Sequence, residues 1–359
     1  MRISLFLPVM LVSLTVMAAA GGGVKQPRFL ECFRTMQAPV LDGKMDDPCW
    51  RDAAVATDFI LHQSENKPPL NKTEVRACYD AENLYFFWTM YEKNMSKLQY
   101  GPPEDIRDNL DWNGDVAELF LALGSDLEQY YQLAASPYGA RFDAYAKDSF
   151  YNADWQVKTG IFADHWTIEM AIPFGALLGH AAFMGTPVPG ETWRIQFCRD
   201  QGYLHEWSTW RNKEHVSYHY SEYFGTLQFA GSKNTEQIPA VKHDFTEIFF
   251  GTKQKFAFTV NREQPELRAL VQLMRDGEII ARQELPIAGK TFTSTLDILQ
   301  GGKWDMTVEV YQGDQKVYHG FGSRELPPVI ETFQSIVRET AADKLRNSHY
   351  PGKEAFIQE

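Results

Sequence analysis

Leu84-Tyr85-Phe86-Phe87-Trp88-Thr89-Met90 is apolar on both faces of an extended chain. A strand covered on one side alternates apolar with polar residues. A continuous aromatic run of this length therefore reads as a central strand buried on both sides. The stretches around it show the half-buried pattern. In residues 116–123, Ala117, Leu119, Leu121 and Leu123 share one face, and Glu118, Phe120 and Ala122 the other. Trp166, Ile168, Met170 and Ile172 alternate with His165, Thr167 and Glu169, and Trp193, Ile195 and Phe197 alternate with Arg194, Gln196 and Cys198. Two more strands, 130–135 and 140–147, flank the turn Ser136-Pro137-Tyr138-Gly139, and one short helix is expected over 174–178. Regular short strands with turn signals predict an all-β sandwich and not a doubly wound α/β fold.

The chain has 359 residues, more than one core usually fills, so two β-domains are expected. The first spans 29–230. Residues 231–237 are small and polar, a linker. A smaller immunoglobulin- or fibronectin-like β-sandwich follows over 238–326, with strands at 256–260, 267–274, 278–285, 291–298, 306–311 and 316–320. Its hairpin turns are Asp276-Gly277 and Gly313-Asp314. After Pro327-Pro328, the spacing of Ile330, Phe333, Ile336 and Val337 predicts a C-terminal helix over 328–346, then a tail over 347–359. Residues 1–20 read as a signal peptide: Arg2, an apolar stretch over 3–16, and the cleavage site Ala18-Ala19-Ala20. The expectation is an exported protein (periplasmic, secreted or cell-surface) with no integral membrane span after cleavage.

The net charge of −12 and the absence of any basic run argue against a nucleic-acid partner. Aromatic residues make up 14% of the chain, enough for two cores and some stacking surface. Cys32, Cys49, Cys78 and Cys198 allow either two disulfides, in three connectivities, or reduced buried thiols. No phosphate loop, H-E-x-x-H or G-x-S-x-G occurs. Asp111, Asp115 and Glu118 are close in sequence, but acids beside a strand start are usually a solvated edge, a calcium site or a hydrogen-bonding site. The chain is read as non-catalytic.

Six segments, taken in order, are similar to one family. Pro39-Val40-Leu41-Asp42-Gly43-Lys44-Met45-Asp46-Asp47-Pro48-Cys49-Trp50 opens the series, and 75–85 (Val-Arg-Ala-Cys-Tyr-Asp-Ala-Glu-Asn-Leu-Tyr) follows. Trp112-Asn113-Gly114-Asp115-Val116-Ala117-Glu118-Leu119-Phe120 and Trp166-Thr167-Ile168-Glu169-Met170-Ala171-Ile172-Pro173 come next. Residues 190–199 supply another strand, and Trp207-Ser208 with Phe224-Gly225-Thr226-Leu227 close the series. In this order they resemble family 9 carbohydrate-binding modules and their DOMON-like relatives, over about 29–229.

The resemblance implies a β-sandwich that holds a sugar between two aromatic rings. Trp112 falls at one ring position and Tyr218 at the other. Glu118 matches the hydroxyl-binding acid. Gln132, Ala134 and His215 stand where the family has Arg, Asn and Asn, which puts terminal-glucose specificity in question. Trp207 and Trp210 are read as sharing a face at i, i+3, with Trp210 lining the cleft. Tyr100, Tyr151 and Trp155 are looser loop candidates, while Trp50, Trp88, Trp166 and Trp193 are assigned to cores. The family's structural calcium would fall to Asp42, Asp46 and Asp47, and no cofactor is otherwise required. The expected function is carbohydrate binding in polysaccharide degradation, with a partner glycoside hydrolase. Two alternatives stand beside it. One is a DOMON-like haem or redox carrier drawing axial ligands from Met90, Met95, Met170, Met184 or His205. The other is a structural cell-surface protein without ligand.

Overall fold

A computed structural model describes residues 28–62, 67–101, 107–124, 126, 128–179, 181–211, 217–233, 238–245, 251–298 and 301–326. The expected signal peptide, C-terminal helix and tail lie outside the described residues, as do His215 and most of the linker. The first unit contains β1 (Phe29–Arg34), β2 (Val55–Ala56), β3 (Ile60–Leu61), β4 (Thr73–Tyr79), β5 (Asn83–Tyr91), β6 (Val116–Ala122) and β7 (Tyr131–Ala135). It continues with β8 (Arg141–Tyr145), β9 (Gln156–Ile161), β10 (His165–Pro173), β11 (Phe183–Gly185), β12 (Thr192–Gln201), β13 (Glu206–Thr209) and β14 (Gly225–Phe229). One short helix, α1 (Pro48–Asp52), carries Trp50. The helix expected over 174–178 is a single 3-10 turn, Phe174–Ala176.

The strands run in the order β8-β7-β6-β12-β14-β1-β4-β5-β10-β9. β1 joins the two layers of a sandwich. Its first half pairs parallel with β14 and its second half parallel with β4. The aromatic run is the central strand β5, flanked by β4 and β10 and buried from Leu84 to Met90. Its Phe86 and Trp88 reach across to Phe197 on β12, with ring centroids 5.8 and 5.2 Å apart and edge-to-face, an arrangement favoured by the ring quadrupoles. Ala117, Leu119 and Leu121 pack into this same core, so the alternation in β6 commits its other face outward. Trp50, Trp88, Trp166 and Trp193 are all buried.

The second unit has β15 (Val241–His243), β16 (Gly251–Val260), β17 (Leu267–Arg275), β18 (Glu278–Pro286), β19 (Thr291–Ile298), β20 (Gly302–Gln312) and β21 (Gln315–Leu326). Two sheets, β11-β21-β20-β17-β18 and β15-β16-β19, enclose its core. Asp276 and Gly277 both take positive φ, +50° and +84°, the two-residue turn that matches strand twist. β11 is the unexpected member. It lies within 29–230 in sequence, yet it pairs with β21 and sends Phe183 into the second core.

Candidate functional site

The outward face of β6 forms the floor of a cleft of about 640 Å³. Strand register explains its composition. Phe142, Ala134, Glu118, Cys198 and Thr209 stand opposite one another across β8, β7, β6, β12 and β13. Asp200 lies two residues beyond Cys198 on the same face of β12 and pairs with Trp207 of β13. Rings and polar groups thus interleave: His62, Trp112, Glu118, Gln132, Phe142, Asp200, Trp207, Ser217, Tyr218 and His219 line the cleft.

Trp112 sits on the loop before β6, at the tip of a turn. There the Asn113 N–H donates to Asp111 Oδ1 at 3.1 Å and the Gly114 N–H to the Asp111 carbonyl at 2.9 Å. Asp115 fixes the base of this loop by accepting the Gln99 N–H at 2.8 Å, and burial pushes its carboxyl up to about 6. The Trp112 ring is 41% exposed and stands edge-to-face on Phe142, centroids 5.2 Å apart. Tyr218 is half-buried. His62 meets its ring edge-to-face at 5.1 Å, and the Arg211 guanidinium lies 5.7 Å from the ring centroid. Arg211 donates to His62 Nδ1 at 2.9 Å and to the Ser217 carbonyl at 2.7 Å. A guanidinium can only donate, so His62 Nδ1 accepts and the ring is neutral with its proton on Nε2.

Glu118 accepts a hydrogen bond from Gln132 Nε2 at 2.6 Å, and Asp200 accepts one from the Tyr218 hydroxyl at 3.3 Å. Both acids are buried, at 4% and 7% exposure. Burial pushes Glu118 up to about 7, against the pull of Gln132. Asp200 goes well above the carboxylate range, first through burial and then through the charge of Glu118. Burial and the neighbouring Asp200 likewise raise Tyr218. His219 packs on Phe120, shares a 2.8 Å hydrogen bond between its Nδ1 and the Tyr130 hydroxyl, and is pushed down by burial.

Four expected residues therefore meet in one cleft: Trp112, Tyr218, Glu118 and Gln132. Trp210 does not. It is 3% exposed and packs on Phe197 in the main core, centroids 5.4 Å apart. The i, i+3 reading fails because Trp207 belongs to a strand, where residues three apart face opposite ways. Trp207, 39% exposed, takes the cleft position. Period-2 alternation over 206–210 was the available signal. Trp155 is fully buried, and Tyr100 and Tyr151 pack against the main core. None of these three lines the cleft.

Two of the acids expected to hold calcium, Asp42 and Asp47, accept hydrogen bonds from their own segment. Asp42 accepts from the Lys44 N–H and ammonium at 2.9 and 2.7 Å, and Asp47 accepts the Val40 N–H at 3.1 Å. Among the described residues Asp42, Asp46 and Asp47 do not form a group of three converging ligand atoms. Among the described residues the group that does is Glu82, Glu309 and His319, far along the chain from the cleft, with the Lys316 ammonium already bridging Glu82 and Glu309. Met90 and Met170 fill the main core, and Met95 and Met184 pack against it. Neither these four nor His205 lines the cleft. All four cysteines are free thiols, with Cys49 against Cys78. No helix among the described residues is long and apolar enough to cross a membrane.

A two-layer β-sandwich with an open, ring-lined cleft on one outer sheet face defines a ligand-binding module. The family described as carbohydrate family 9 binding domain-like matches residues 41–232, more than half of the chain, and the chain belongs to that family. The family consists of non-catalytic modules, and membership carries a carbohydrate-binding role. Similar solved structures include a candidate carbohydrate-binding protein from Bacteroides uniformis, 14% identical with a TM-score of 0.45, covering 57% of this chain and 100% of that one. A family 9 module from Caldicellulosiruptor kristjanssonii in complex with cellotriose is 14% identical with a TM-score of 0.42, covering 59% and 99%. Its complex with glucose gives 14% identity and a TM-score of 0.40, covering 58% and 100%. No curated protein sequence matches the chain.

Proposed function

We propose that the protein is exported, acts without catalysis, and holds a sugar in the Trp112–Tyr218 cleft in support of polysaccharide degradation by a partner glycoside hydrolase. The observation that carries this reading is the convergence of exposed rings, Trp112 and Trp207, with buried polar groups, Glu118, Gln132 and Asp200, in one open cleft. Sugar C–H faces stack on rings, while carboxyls and amides pair with hydroxyls. The chemistry needs no cofactor, and an open cleft of this kind suits weak, reversible capture. Export is supported by the apolar leader with its Ala18-Ala19-Ala20 site.

A glycan array followed by calorimetry on the mature chain tests the binding role. The expected result is micromolar-to-millimolar binding that weakens at least tenfold in Trp112→Ala and in Trp207→Ala. Binding unchanged in both variants refutes the site. Binding to no glycan at all favours the purely structural alternative.

A further inference from the structure

We propose that the preferred ligand of the cleft is an amino sugar, its ammonium set between Glu118 and Asp200 while the sugar faces rest on Trp112 and Trp207. This rests on the sugar-binding reading above and narrows it to a chemical class.

A carboxylate offers about four lone-pair sites. Among the described residues Glu118 receives one donor, Gln132 Nε2, and Asp200 receives one, the Tyr218 hydroxyl at a long 3.3 Å. Both side chains are more than nine-tenths buried and both line the cleft. They stand on adjacent strands, Glu118 opposite Cys198 and Asp200 two residues further on. That diagonal places their Cα atoms roughly 7–8 Å apart on one face of the sheet, and the charge of Glu118 acts on Asp200. The two acids repel one another, and the described lining residues include no lysine or arginine to offset them. Arg211 is nearby but spends its guanidinium on His62 and Ser217, across the Tyr218 ring. Arg199, the next residue along β12, points to the opposite face, toward Glu92 and Thr73.

A buried carboxyl pair without a cation is held neutral by proton uptake, and here burial and mutual repulsion raise both groups. An arriving ammonium reverses that balance. It supplies three N–H donors to under-satisfied oxygens and favours the ionised acids, so the acids release protons as it binds. The rings add a second preference in the same direction, since the negative face of an indole attracts a cation. Uronic or sulfated sugars bring no cation to this exchange and gain nothing from it.

The test compares three oligosaccharides of equal length that differ only at C2: hydroxyl, N-acetyl and free amine. Calorimetry runs at about pH 6.5, where an amine resembling an α-amino group is protonated, in two buffers of different ionisation enthalpy. The expected result is at least tenfold tighter binding of the free-amine form, with proton release for that form alone. Asp200→Asn, nearly isosteric, should abolish the free-amine preference and the proton release that accompanies it. Raised salt should weaken the wild-type preference, a readout that needs no variant. Equal or tighter binding of the hydroxyl or N-acetyl form overturns the amino-sugar inference and leaves the sugar-binding reading standing. Binding of none of the three, with a blank glycan array, overturns both.

Discussion

Glu118 links the cleft to the stability of the fold, and Glu118→Gln isolates that link. In the folded chain burial lifts this carboxyl from 4.5 to about 7. Between those two pH values the folded state holds a proton that the unfolded state has lost. Folding stability therefore falls as pH rises through the window, and the whole deficit is present above pH 7. A displacement of this size corresponds to about 3 kcal/mol. Glutamine keeps an oxygen for the 2.6 Å bond from Gln132 and cannot ionise. The variant should match the wild type near pH 4.5 and exceed it by up to about 3 kcal/mol at pH 8, or roughly 6–12 °C in Tm for a domain of this size. Asp115, raised to about 6, keeps its own pH dependence in both proteins, while Asp200 loses in the variant the part of its upward shift that the charge of Glu118 supplies, which widens the difference in the same direction; the quantity to read is the difference between the two curves. Urea denaturation at pH 5 and pH 8 supplies it. An equal loss of stability in both proteins over that interval refutes the account of Glu118 as a desolvated acid.

Three further outcomes follow from the packing. Trp207→Ala should leave stability within about 1 kcal/mol of wild type, whereas Trp210→Ala should cost about 3–5 kcal/mol by opening a cavity beside Phe197, both read by urea denaturation. Glu169 is fully buried and accepts the Asp42 and Gly43 N–H groups and the Trp50 indole N–H at 3.0, 3.0 and 2.9 Å, so Glu169→Ala should cost about 3 kcal/mol or more. Proteolysis of the 39–50 segment should quicken with it. Gly43 has φ +77°, and a Cβ there would lie 2.6 Å from the Thr159 carbonyl carbon. Gly43→Ala should therefore lower stability by at least about 2 kcal/mol, checked by thermal unfolding.

The layers were legible because burial imposes a period on each strand. The unbroken run in β5 and the alternation in β6, β10 and β12 state directly which faces are covered, and the structure covers those faces. β11 was not legible. Three residues carry no period, and the partner of Phe183–Gly185 lies more than 130 positions away in β21. Where Met90 and Met170 point is likewise a matter of sheet stacking, and it decides between core filler and potential ligand.

The cleft divides along the same line. Glu118 was readable because it interrupts an apolar strand on the face opposite Ala117 and Leu119. Asp200 was not: within Arg199-Asp200-Gln201-Gly202 it reads as an ordinary strand end. Only register sets it two residues beyond the partner of Glu118 and directly opposite Trp207. A side chain's role in a sheet depends on its cross-strand neighbours, and those are fixed by pairing between segments far apart in sequence. The same pairing makes the second acid informative. One buried acid beside Gln132 is a hydrogen-bonding group. Two acids on one wall, each with a single donor among the described residues, can ionise together only when a cation arrives, and that couples the cleft to the charge of its ligand.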